Sequence, residues 1–123
     1  MKKISLLMGC LLVAFWIGGK MLSAQSAPAI RYVVFHKPGP NWQQGVDFRK
    51  QPGVQDHVKH YMKLHQDGKL AMGGPFLDNS GGMMVSIEGV SLDEIKAFAE
   101  ADPAVKGGLL VLEIKPWMVA MEK

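Results

Sequence analysis

QPGVQDHVKHYMKLHQDGKLAMGGPF, residues Gln51 to Phe76, is the stretch on which the fold turns. Val54, Val58, Tyr61, Leu64 and His65 fall on one face at helical spacing with His57 at its margin, which predicts a helix from Val54 to Asp67. Asp67-Gly68 supplies a C-terminal stop. Lys69 to Phe76 then reads as a strand, with Leu70 and Met72 alternating with Lys69 and Ala71. It closes on Gly73-Gly74-Pro75, read either as a bulge or as the wall of a pocket beneath His57 whose amides could meet an oxyanion. An imidazole titrates near neutrality, so His57 is the best candidate for a proton-handling group. The plainer reading of His57 is a half-buried histidine hydrogen-bonded to backbone.

Upstream of this stretch, Ile30 to Phe35 is rich in β-branched and aromatic residues and reads as a first strand, with His36 at or just past its end. Lys37 to Pro52 has no strand or helix period, but Trp42, Val46 and Phe48 give it apolar anchors; an ordered loop over a pocket is expected. Downstream, Asp78 to Gly82 has the composition of a hairpin turn, and Met83 to Glu88 forms a third strand antiparallel to the second. Ser91 and Glu94 have the spacing of a capping box, opening a second helix with Leu92, Ile95, Phe98 and Ala99 as its buried stripe. That helix stops near Asp102, because Pro103 disfavours helical geometry in the residue before it. Ala104 to Gly108 turns the chain into a last strand, Leu109 to Trp117.

The order βαββαβ predicts an α+β fold: a ferredoxin-like four-stranded antiparallel sheet with two helices on one face. Its other face would carry apolar side chains, and pairing two such sheets in a homodimer is the economical way to cover them.

The first 24 residues read as a segment apart. Lys2-Lys3 precede an uncharged, mostly apolar run from Ile4 to Gly19, and Leu22-Ser23-Ala24 offers small residues for cleavage. That is the layout of a secretory signal peptide, leaving residues 25–123 as the exported domain, periplasmic or secreted. An uncleaved N-terminal anchor is the second reading, and a lipoprotein signal at Cys10 the third. Of 14 lysines and arginines, Lys2, Lys3 and Lys20 leave with the leader while no acid does, so the mature domain is balanced at 11 against 11. The basic character belongs to the leader and gives no support to nucleic acid, or to a membrane beyond that leader or anchor, as a partner. Cys10, the only cysteine, leaves too, so core packing or oligomerisation must provide the stability.

The segments GPNW (Gly39 to Trp42), QPGVQDH (Gln51 to His57), GKLAMGGPF (Gly68 to Phe76), ADPAV (Ala101 to Val105) and the closing Pro116-Trp117 resemble the YCII-related proteins of the dimeric α+β barrel superfamily. Together they span essentially all of the mature chain. The resemblance implies the ferredoxin-like fold, dimerisation, and a His/Asp pair as active site, carried by His57 and Asp102. Superfamily relatives include isomerases, dehalogenating lyases and small monooxygenases. Many relatives outside this branch carry an arginine within a few residues before the helical histidine; here Arg49 lies further upstream and is the candidate anion clamp. Asp102 also has a simpler reading, as turn chemistry before Pro103. A carboxylate at the negative end of a helix breaks a local electrostatic rule, as residues at functional sites do.

Tyr32, Trp42, Gly74 and Pro75 are the remaining candidate pocket residues, with Asp47 beside them. His57 and His60 form H-x-x-H, but no third ligand follows at zinc spacing, so no metal and no organic cofactor is expected. The residues then suit two classes of function. One is an exported enzyme moving a proton on a small organic acid or lactone, by isomerisation or elimination. The other is a module whose cleft holds a small molecule or a partner without chemistry.

Overall fold

The structure is a computed structural model describing residues 27–123. The leader expected at residues 1–24 lies outside these residues. Among the described residues, no helix is long and apolar enough to cross a membrane.

Eight elements follow in order: β1 (Ala29–Pro38), a 3-10 turn (Phe48–Lys50), α1 (Val54–Gln66), β2 (Leu70–Pro75), β3 (Gly82–Ser86), α2 (Leu92–Glu100), α3 (Pro103–Lys106) and β4 (Leu110–Val119). The strands form one antiparallel sheet in the order β2-β3-β1-β4. This is the expected α+β arrangement, with the first and last strands paired at its centre and edge. Val34, Tyr61, Leu64, Val90, Ile95 and Ala99 form the main buried cluster, so α1 and α2 cover the same sheet face. On the opposite face Val33, Phe35, Met83, Val85 and Trp117 gather around a shallow depression.

Three local features depart from expectation. β1 runs on to Pro38, because its ladder with β4 continues through His36↔Leu112 to Pro38↔Leu110. His36 therefore lies inside the sheet rather than past its end. β2 is irregular: Leu70 faces Ser86 and Met72 faces Val85, adjacent residues of β3, so Leu70 and Met72 do not share a face as simple alternation predicts. The third departure is α3, where only a turn was expected. Asp102 caps it by accepting from the Ala104 amide at 2.9 Å, and Pro103 occupies its first turn.

The capping box at α2 forms by half. Ser91 Oγ accepts from the Glu94 amide at 3.1 Å, but the Glu94 carboxylate pairs with Lys69 on the approach to β2.

The loop between β1 and α1 is ordered because its polar groups are satisfied. Gly39 N donates to Leu109 O and Asn41 N to Gly108 O. The buried Gln51 side chain accepts from Gln43 N at 2.9 Å and donates to Gln43 O and Val46 O at 2.8 and 2.9 Å. Trp42 packs with Val54 against Ala104, Leu109 and Leu110, which closes the loop over one end of the sheet.

Gln51→Ala removes the side-chain partner of those three part-buried loop groups, of which Gln43 O still accepts from Val46 N. The expected cost is about 1 to 2 kcal/mol of folding stability, measured as a lower urea midpoint with an unchanged slope.

Candidate active site

Three elements converge at one end of the sheet. α1 contributes His57 and Tyr61, one helical turn apart on the same face. β1 contributes His36, on the face that Val34 presents to the helices. The junction of α2 and α3 contributes Asp102, which is fully buried.

Asp102 divides its two oxygens. Oδ1 accepts from the Ala104 amide, and Oδ2 lies 2.5 Å from His57 Nδ1. His36 Nε2 is 3.9 Å from the same Oδ2 and shares a 3.0 Å hydrogen bond with the Tyr61 hydroxyl. The rings of His36 and His57 meet edge to face at 4.8 Å.

Burial alone would raise the Asp102 carboxyl. The hydrogen bond from His57, the charge of that ring and the Ala104 amide outweigh it and hold Asp102 below its ordinary value. His36 is lowered to about 4, first by burial and then by the positive charge of His57, with Asp102 opposing; near neutral pH it carries no charge. Burial raises the Tyr61 hydroxyl, which keeps its proton. An ionised carboxylate at Nδ1 places the imidazole proton of His57 on that nitrogen. Nε2 is then the free lone pair, without a partner among the described residues.

His57 forms part of the wall of a cavity of about 500 Å³. Trp42 and Phe48 close it from the β1–α1 loop, Val58 and Met62 from α1, and Gly73, Gly74 and Pro75 from β2.

The family model described as the YCII-related domain matches residues 30–118. The chain belongs to the YCII-related family. Over 67 residues, 54% of this chain and 78% of the relative, it is 40% identical to the uncharacterised protein YjpA of Bacillus subtilis (strain 168). Among solved structures it is similar to 5-chloro-2-hydroxyhydroquinone dehydrochlorinase (TftG) from Burkholderia phenoliruptrix AC1100 in complex with 2,5-dihydroxybenzoquinone. That likeness has a TM-score of 0.49 at 23% identity, covering 71% of this chain and 92% of that one.

Within this YCII-related domain, the structure brings together most of the residues singled out in the sequence. His57, Trp42, Gly74 and Pro75 line the cavity, and Asp102 stands behind His57. Three do not join them: Tyr32, Arg49 and Asp47 lie outside the cavity lining. Tyr32 packs into the main core, with its amide on Ser86 Oγ, because it lies four residues back along β1 from His36. Arg49 lies over the Phe48 ring and pairs with Asp47 at 2.9 Å, its side chain 64% exposed and outside the cavity lining.

His36 is the site residue that sequence reasoning missed. Its signal was available: it follows Val34 by two, so a strand continued by one residue would aim both at the helices. The dipole conflict at Asp102 dissolves, because the carboxylate caps the start of α3 rather than the end of α2.

H-x-x-H does not converge on a metal, since His60 Nε2 is hydrogen-bonded to Phe98 O and its ring stacks on Phe98. Among the described residues His36, His57 and Asp102 do converge, with ligand atoms within 4.8 Å of one another. Their fit to an ion is poor, because His57 Nδ1 and Asp102 Oδ2 are spent on each other.

In the unfolded chain His36 protonates near 6.5, but in the folded protein only near 4. Between these values the unfolded state binds the extra proton, so stability falls as pH drops, by up to roughly 3 kcal/mol. Asp102, lowered in the folded state, adds a loss in the same direction below pH 3.8. Urea denaturation across the range measures both, and His36→Gln should flatten the fall between pH 6.5 and 4.

Proposed function

We propose that this YCII-related protein is a small-molecule enzyme that catalyses a proton transfer, of isomerisation or elimination type, without metal or organic cofactor. One observation carries the reading: a buried carboxylate binds one edge of the His57 imidazole at 2.5 Å while the other edge meets a cavity. In the proposed step, Nε2 takes a proton from a carbon next to a carbonyl, and the electron pair of the broken C–H bond moves into an enolate. The imidazolium formed is stabilised by Asp102. Returning the proton to a different carbon completes an isomerisation; loss of a leaving group with the electron pair completes an elimination. His36 and Tyr61, both neutral near pH 7, line the cavity beside the pair.

The working unit in this reading is an exported homodimer. The depression on the other sheet face, where Trp117 is 43% exposed beside Phe35 and Met83 with Lys115 at its edge, supports pairing through that face. The basic and apolar leader at residues 1–24 supports export.

Ring-nitrogen NMR tests the pair directly. Wild-type His57 should carry its proton on Nδ1, and Asp102→Asn should release that tautomer. In a screen of enolisable ketones and lactones in D2O, His57→Ala should lower catalysed α-proton exchange by on the order of 10²- to 10⁴-fold. Exchange that survives His57→Ala unchanged would remove the reading. Ligands that stabilise the fold and never exchange would instead assign the cavity to binding without chemistry.

A further inference from the structure

The walls of the His57 cavity say what kind of molecule enters it. Among the described residues, no lysine, arginine, aspartate or glutamate lines it. Its walls are largely apolar, from Trp42 and Phe48 on the loop, through Val58 and Met62 on α1, to Met72 and Met84 on the strands, with His36, Tyr61 and His65 as the polar members beside His57. The arginine best placed by sequence to meet an anion, Arg49, is committed to Asp47 and the Phe48 ring.

The site's own charge gives an anion little to bind. Protonated His57 is balanced by Asp102 at 2.5 Å, and His36 is held neutral near pH 7. His65, at the rim, is exposed, so any charge on it is hydrated. A carboxylate entering this space would lose its water and gain no ion pair, which is strongly unfavourable. An uncharged molecule meets no such barrier and buries its apolar surface. Three methionines in the lining suit a ligand of irregular outline, because their unbranched side chains adapt to shape.

We infer that the cavity selects an uncharged, largely apolar small molecule and rejects carboxylates, because its lining offers no cation beyond the internally balanced His57–Asp102 pair. The inference deepens the proton-transfer reading and rests on it only for the choice of an enolisable probe. It also replaces the organic-acid part of the expectation drawn from sequence, and the volume of about 500 Å³ is in the range of small-molecule sites.

The experiment compares 4-isopropylcyclohexanone with 4-oxocyclohexanecarboxylate on the full chain at pH 7. These share the ring and carbonyl and differ in that an isopropyl group stands where the other has a carboxylate. Dissociation constants come from shifts of the His57 ring signals, and α-proton exchange in D2O is read on the same samples. The neutral ketone should bind about 100-fold more tightly than the carboxylate. Met62 lines the cavity and is 48% exposed, so Met62→Lys can add a cation at the rim without burying it. That variant should reduce the preference by about 3-fold, the scale of what a single solvent-exposed cation contributes.

Equal or tighter binding of the carboxylate overturns the inference, as does failure of both probes to bind at millimolar concentration. A ratio unmoved in Met62→Lys overturns it too, because the cavity charge would then not be setting the choice. Binding of the neutral ketone without exchange leaves the inference standing and removes the proton-transfer reading. Exchange of the carboxylate alone does the reverse.

Discussion

A carboxylate fully removed from water is the constraint on which the rest of this structure hangs. Asp102 can stay ionised at that depth only if donors surround it, and the donors come from separate parts of the chain. The Ala104 amide comes from the start of α3 and the imidazole of His57 from α1, while His36 on β1 stands 3.9 Å off without a hydrogen bond to it. Satisfying one buried group thus fixes how α1 and the α2–α3 junction meet over the sheet. The same arrangement leaves one imidazole nitrogen facing the cavity. Stability and the candidate chemistry therefore share a cause.

The surrounding polar groups follow the same logic with less at stake. Gln51 satisfies three backbone groups of the loop, and the loop in turn holds Trp42 and Phe48 against the cavity. Tyr61 occupies His36 Nε2, while His36 Nδ1 is buried without a hydrogen bond. That orphaned nitrogen costs least when the ring is neutral, consistent with burial having pushed its affinity for a proton down.

Much of this was legible in the sequence, and what was hidden has a pattern. Helical spacing placed α1, the Ser91 cap started α2, and strand alternation with turn chemistry gave the sheet, because these are local rules acting within a few residues. The irregularity between Leu70 and Met72 was not legible, since register depends on the partner strand. Nor was α3, whose start needs Asp102 to act as a cap rather than a terminator. β1 was ended three residues short, at Phe35 instead of Pro38, because its end is decided by pairing with β4, some 75 residues further on. Arg49's pairing with Asp47, two residues away, was not legible either, because only coordinates show which of its neighbours a flexible cation chooses.

The division of labour between elements has one further consequence. The proton-handling pair belongs to α1 and the α2–α3 junction, deep under the helices, whereas much of the cavity wall belongs to the β1–α1 loop and the β2–β3 hairpin. Changes at Phe48 or Met72 can therefore reshape what is admitted while leaving the buried carboxylate and its donors in place. A scaffold partitioned in this way can diversify in ligand without reinventing its chemistry, and a lineage could explore new molecules by drifting at its rim.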